Sequence, residues 1–272
     1  MHLALWDIPP ADFLALGLTA GDVTVPVDIE RKDAQTCTEL LLQGLVDVAL
    51  LPSLVVLSNT DVFDVLPGVA LSTWKYPYAR MVLRRGIEGV ETVAYDRQYA
   101  QEAFVARIIL REHYDKNPAF VPLDGVSPEG LLNAEQDASL VVGPNAPLLQ
   151  TDHVTLNLGQ EWFELVNYPM VWGLFATVKE AAAPVMVELL MHAARRAEQQ
   201  RPLWVQAREM PPVLHTFYSE DLRFRLDDLA MAGLTEFRDY LYYYNITDEI
   251  PALPLYELPE DWEDDEEPEP LL

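Results

Sequence analysis

A near-continuous apolar run, Val46 to Leu51 (VDVALL), follows directly on a stretch of helical spacing from Asp33 to Gly44 and stops at Pro52. A strand with so little polar alternation is covered on both faces, and one that closely follows a helix belongs to a parallel sheet flanked by helices. The chain opens in a similar way. MHLALWD is a short buried strand ended by an acid, and Pro9 and Pro10 read as its exit into a loop. The unit then recurs as a strand at Val90 to Tyr95, a helix at Arg97 to Tyr114 and a strand at Ala138 to Val142 closed by Gly143 and Pro144. Two further helices, Ala181 to Gln200 and Asp221 to Tyr244 with a weak point at Gly233, are expected to return over the first unit. The pattern predicts a first lobe from residues 1–86 plus 176–256, a second lobe from 87–175, and a disordered acidic tail at 257–272.

Half of the 272 residues are apolar, enough for one or two cores. No apolar run reaches the roughly 18 to 20 residues that span a bilayer. The N-terminus lacks a basic leader region, so a cytoplasmic location and no membrane partner are expected. The single cysteine, Cys37, rules out an intrachain disulfide and reads as a packing residue. The formal charge of −26 repels phosphate backbones and anionic membrane surfaces, which argues against nucleic acid as a partner. Part of that charge is local: ELPEDWEDDEEPEPLL holds nine acids and no base, the composition of a solvated tail. The five histidines show no metal-ligand spacing, and there is no HExxH, CxxC or glycine-rich phosphate loop, so neither metal nor cofactor is expected. Tyr240, Tyr242, Tyr243 and Tyr244 read as core or lobe interface.

In open parallel sheets, ligands sit outside the carboxyl ends of the strands. That rule singles out Asp7 to Pro10, Pro52 to Val55, Ser72 to Lys75, Asp96 to Gln101 and Gly143 to Ala146.

The same segments carry a resemblance. GLVDVALLPSLVVL at Gly44 to Leu57 is similar to a family string reading DVALIPSIEYL, and LNLGQEWFELVNYP at Leu156 to Pro169 is similar to DLGEEWKELTGLPF. PGVALSTWKYPYARMVL, VAYDRQYAQEAFVARIILREHY and GLTEFRDYL match further family segments in order, so that most of Leu3 to Glu257 is covered. The family is that of the chorismate dehydratases of menaquinone biosynthesis. The resemblance implies a two-lobed, periplasmic-binding-protein-like fold of the second type, α/β with mixed or parallel sheets flanked by helices, closing on a small anionic metabolite. It also implies a lyase that removes water from chorismate to give 3-enolpyruvylbenzoate.

The departures from the family fall at the ligand. Asp7, Ile8, Pro9 and Pro10 stand where the family has a polar turn like NYLN, and Arg97 to Glu102 (RQYAQE) replaces a hydroxyl-rich turn like TSSRTS. Val55, Pro144 and Ala79 replace a family glutamate, aspartate and serine, whereas Ser53 and Ser72 survive. On this reading Ser53, Ser72, Thr73, Arg97 and Asn145 are the candidate substrate-binding residues and Asp7 the candidate catalytic acid or base. Asp96 and Lys75 have ordinary readings as a helix cap and a surface lysine. Three possibilities stay open: a working dehydratase, a binding protein that keeps the clamshell without the chemistry, and a structural or regulatory partner with a filled cleft.

Overall fold

The computed structural model describes residues 1–19, 26–259 and 262; of the acidic tail, residues 260–261 and 263–272 lie outside the described residues. The strands in chain order are β1 (His2–Trp6), β2 (Asp28–Lys32), β3 (Val48–Pro52), β4 (Phe63–Thr73), β5 (Ala79–Leu83), β6 (Thr92–Asp96), β7 (Ala119–Leu123), β8 (Ala138–Val142), β9 (Val154–Asn157), β10 (Met170–Val178) and β11 (Leu222–Arg225). The helices are α1 (Pro9–Thr19), α2 (Ala34–Leu42), α3 (Ser53–Leu57), α4 (Ala100–Ile108), α5 (Pro128–Leu132), α6 (Leu158–Val166), α7 (Pro184–Gln206), α8 (Pro212–Thr216) and α9 (Asp228–Tyr243).

The strands form two sheets, β11-β4-β10-β3-β1-β2 and β7-β6-β8-β5-β9. In the first, β1 runs parallel to both β2 and β3, and β10 lies antiparallel between β3 and β4. All five residues of β3 are buried, which is why the VDVALL run lacks alternation. In the second sheet β6 is parallel to β7 and β8, while β5 is antiparallel to β8 and β9.

The structure corrects three expectations. Pro9 and Pro10 do not lead into a loop but open α1. Proline lacks only an N–H that a helix's first turn leaves unused, so paired prolines after a strand mark a helix start as readily as a break. The crossings between lobes also come earlier than hydropathy suggested. β5 already belongs to the second sheet and β10 wholly to the first, so the chain crosses at residues 74–78 and again between β9 and β10, rather than at 87 and 176. No polar break separates β4 from β5, because the crossing segment carries the buried Tyr76, Pro77 and Tyr78. Finally, the stretch from Asp221 is not helical throughout. Residues 222–225 form the edge strand β11, and α9 begins at 228 behind Asp227, whose carboxylate accepts from the Ala230 N–H.

α7 packs over α1 and β4 of the first lobe. α9 instead spans the lobes, lying on β10 while Phe237 meets Phe104 of α4 at 5.8 Å and Trp162 of α6 at 6.0 Å between ring centroids. Tyr240 and Tyr244 join this cluster, and Tyr244 donates to Glu112 at 3.0 Å. Tyr242 and Tyr243 are exposed. Edge-to-face aromatic pairs add about 0.5–1.5 kcal/mol each beyond area burial, so this cluster fixes how the lobes sit.

Two glycines make the crossings close. A Cβ on Gly159 would lie 2.6 Å from the Tyr76 backbone nitrogen, and one on Gly233 would lie 2.1 Å from the Pro169 carbonyl oxygen. Both contacts are to backbone, which does not swing aside. We expect Gly233→Ala to cost about 2–3 kcal/mol in urea unfolding through overpacking; a change within 0.5 kcal/mol would mean that α9 does not press on the segment before β10.

Candidate functional site

The carboxyl ends of β1, β3, β6 and β8 point at one another across the two lobes, and a cavity of about 780 Å³ lies between them. Its walls are the residues that follow those strands: Asp7 after β1, Pro52 and Leu54 at the start of α3, Arg97 to Glu102 after β6, and Pro144 after β8. The first turn of α1 completes it with Asp12, and α2 adds its N-cap Asp33 and, a turn further on, Glu39. This is the strand-end location that the sheet rule predicts.

Gln101 sits at the floor, 3% exposed. Its side-chain oxygen accepts from the Leu54 N–H at 2.8 Å, and its side-chain nitrogen donates to the Trp172 carbonyl at 2.7 Å. One second-lobe amide therefore occupies the donor at the start of α3 and an acceptor on β10, both in the first lobe. Its neighbour Glu102 is 1% exposed, and its Oε1 has no hydrogen-bond partner. Burial pushes this carboxyl up to about 7. Beside it, burial and then the charges of Glu102, Asp96 and Asp7 push the Tyr99 phenol up to about 12.

Among the described residues the cavity carries five carboxylates against a single guanidinium, and most are already engaged. Asp12 pairs with Arg31. Asp33 caps α2, accepting from the Thr36 hydroxyl at 2.7 Å and the Thr36 N–H at 2.9 Å, and these bonds hold it below the usual carboxylate range. Glu39 accepts from Gln35. Arg97, the one base, donates to Asp124 at 2.7 Å. Among the described residues Asp7 has no side-chain partner.

Of the candidates named from sequence, Asp7 and Arg97 line the cavity, and the other four do not. Ser53 is fully buried and donates to the Val171 carbonyl at 2.7 Å, tying α3 to β10. Thr73 is also buried, accepting from the Trp172 indole N–H at 2.8 Å, and the buried Ser72 hydroxyl has no partner. Asn145 is exposed on the turn beyond Pro144. Asp96 is a structural cap, accepting from the backbone N–H groups of Gln98 and Val126. The strand-end rule flagged the segment that holds Tyr99 and Gln101 without naming either as a candidate, and it stopped one residue short of Glu102. The available signal was that a bulky amide and an acid replace small hydroxyls in the RQYAQE turn, but a glutamate in a helix's first turn reads equally as a partner for the helix dipole.

Spatial proximity also produces a cluster that chain spacing did not. Donor atoms of His113, Glu161 and Glu164 lie within 4.8 Å of one another, and none of the three lines the cavity. Glu161 already accepts from the Tyr114 hydroxyl at 2.5 Å.

A family model described as menaquinone biosynthesis matches residues 1–243. The chain belongs to that menaquinone-biosynthesis family. No curated protein matches the chain. Among solved structures it is similar to a protein from Archaeoglobus fulgidus at 16% identity, covering 90% of this chain and 98% of that one with a TM-score of 0.62. It is also similar to the periplasmic aliphatic sulphonate binding protein of Escherichia coli at 12% identity, 93% and 95% coverage and a TM-score of 0.65. An ABC transporter protein from Parabacteroides distasonis matches at 11% identity, 94% and 98% coverage and a TM-score of 0.67. The two-lobed periplasmic-binding-protein-like fold is therefore established. Among the described residues, no helix is long and apolar enough to cross a membrane.

Within this family fold, Glu102 should also be visible in stability. Its folded value near 7 lies above its ordinary value of 4.5, so the folded state holds the proton more tightly and stability falls as pH rises from about 4.5 through 7, then levels off. The shift corresponds to roughly 3 kcal/mol. Glu102→Gln keeps the shape without the ionisation. Urea titrations should show the variant more stable than the wild type by up to about 3 kcal/mol at pH 8 and nearly equal to it at pH 4.5. Equal stability at both pH values would contradict the burial of an ionising Glu102.

Proposed function

We propose that this chain is a small-molecule-binding member of the menaquinone-biosynthesis family whose cleft does not grip the two carboxylates of chorismate. The observation that carries this reading is the inventory of the cleft: five carboxylates, one arginine already paired with Asp124, and a Leu54 N–H already taken by Gln101. A dicarboxylate entering here meets repulsion from Asp7 and an ionised Glu102, and must break the Arg97 and Gln101 interactions to find donors. Ser53 and Thr73, two of the candidate substrate-binding residues, are engaged with the Val171 carbonyl and the Trp172 indole. The sulphonate-binding protein of similar fold takes an anion; this cleft is lined mostly by anionic side chains of its own.

A second reading, the lyase that turns chorismate into 3-enolpyruvylbenzoate, is favoured by one observation. Glu102 is a carboxyl poised near neutrality beside the cavity, as a proton-transfer residue needs to be. On that reading Glu102 moves the proton, Asp7 assists the leaving hydroxyl, and Arg97 turns from Asp124 to a substrate carboxylate.

Incubation of the purified protein with chorismate, followed by chromatography and by melting curves, separates the two. Binding without chorismate specificity predicts no 3-enolpyruvylbenzoate above the uncatalysed rate and no rise in melting temperature with millimolar chorismate. Product at turnovers of about 1 per second or faster, abolished in Glu102→Gln, would establish the lyase instead.

A further inference from the structure

We propose that the cleft takes a small organic cation, an amine or ammonium group carried on an apolar or aromatic body, with Glu102 as its counter-ion. This rests on the reading of the cleft as a small-molecule site, and adds its charge preference.

The first support is an unmet need for a partner. Glu102 lies against the cavity, almost wholly out of water, with Oε1 bonded to nothing. A buried carboxylate is costly until a cation or a donor reaches it, and breaking such isolation is most favourable for a ligand that brings both charge and N–H groups. Among the described residues Arg97 is the one base that lines the cavity. Arg97 is held by Asp124, and Arg31 is paired with the cavity-lining Asp12. Asp7 at the end of β1 is a second carboxylate free of side-chain partners among the described residues.

The second support is the wall. Trp6 and Tyr99 line the same cavity, and aromatic rings beside carboxylates are the usual surroundings of a bound ammonium group. Pro9, Pro52, Leu54 and Pro144 provide apolar surface for the rest of the ligand. A cavity of about 780 Å³ is of the size that encloses a metabolite-sized molecule.

A metal ion fits less well. Among the described residues the one group of three donors close enough to share an ion is His113, Glu161 and Glu164, which lies outside the cavity. The cleft's carboxylates are spread around its walls, and among the described residues no three of them come close enough to share one ion.

The test uses three matched sets on the full-length protein at pH 8: phenethylamine, tryptamine, agmatine and choline; carboxylic acids of comparable skeleton, including 3-phenylpropionate and indole-3-acetate; and the corresponding neutral alcohols. Melting curves and titration calorimetry should show stabilisation by one or more of the cations and none by the acids, with affinity for the bound cation lowered about tenfold or more in Glu102→Gln. The conservative variant Glu102→Asp should retain part of that affinity, which a merely structural role for Glu102 does not predict. Stabilisation by acids or alcohols without the cations overturns the cation inference and leaves the cleft a small-molecule site. Cation binding that Glu102→Gln leaves unchanged overturns the role given to Glu102. No stabilisation by any member of the three sets overturns both the cation inference and the small-molecule reading beneath it.

Discussion

The amide of Gln101 holds together two lobes that the chain crosses only twice. It is rooted in the first turn of α4 in the second lobe, and it satisfies a backbone donor at the start of α3 and a backbone acceptor on β10 in the first. Each of these bonds contributes about 1 kcal/mol when made, and leaving either backbone group buried and unpaired costs more than the bond itself contributes. The amide therefore fixes the depth of the cleft floor and the position of the next residue along, Glu102. The aromatic cluster of Phe104, Trp162, Phe237, Tyr240 and Tyr244 sets the lobes' mutual position from the α9 side.

That arrangement explains how a family resemblance can run the length of the chain while the cleft differs. The matching segments are largely those that build the crossing. In the LNLGQEWFELVNYP stretch, Asn157 accepts from both the Tyr76 and the Gln160 N–H groups, Gly159 admits the crossing segment at Lys75 and Tyr76, and Trp162 enters the interlobe cluster. In GLTEFRDYL, Gly233 admits the Pro169 carbonyl and Phe237 fills the same cluster. The surviving Ser53 ties α3 to β10. Retained residues thus make the clamshell, and the replaced residues, Asp7 and Arg97 to Glu102, make its lining. Fold and ligand are specified by different parts of the sequence.

Local signals were legible. β8 matches the expected Ala138 to Val142, and α2 begins behind the Asp33 cap and gives way at Gly44 as its spacing indicates. The location of the cleft followed from the strand ends alone, and with it Asp7 and Arg97. What was not legible depends on residues distant in sequence. Ser53, Ser72 and Thr73 sit at a strand end or helix start where a hydroxyl can face either cleft or core, and only β10 packing alongside decides for the core. Glu102 reads as an ordinary first-turn acid until the first lobe covers it. The lobe boundaries were misplaced because the crossing itself is apolar, with Tyr76 and Tyr78 buried, so that hydropathy passes through it without a break.

The cleft's electrostatics turn on a buried acid with one carboxyl oxygen unpaired, and its ionisation can be observed directly. With glutamate labelled at the side-chain carboxyl carbon, an NMR pH titration of the wild type and Glu102→Gln should show one resonance titrating near 7 in the wild type and missing from the variant. If every glutamate carboxyl instead titrates below about 5, near its ordinary range, Glu102 is solvated or paired in solution, and the electrostatic reading of the cleft is wrong.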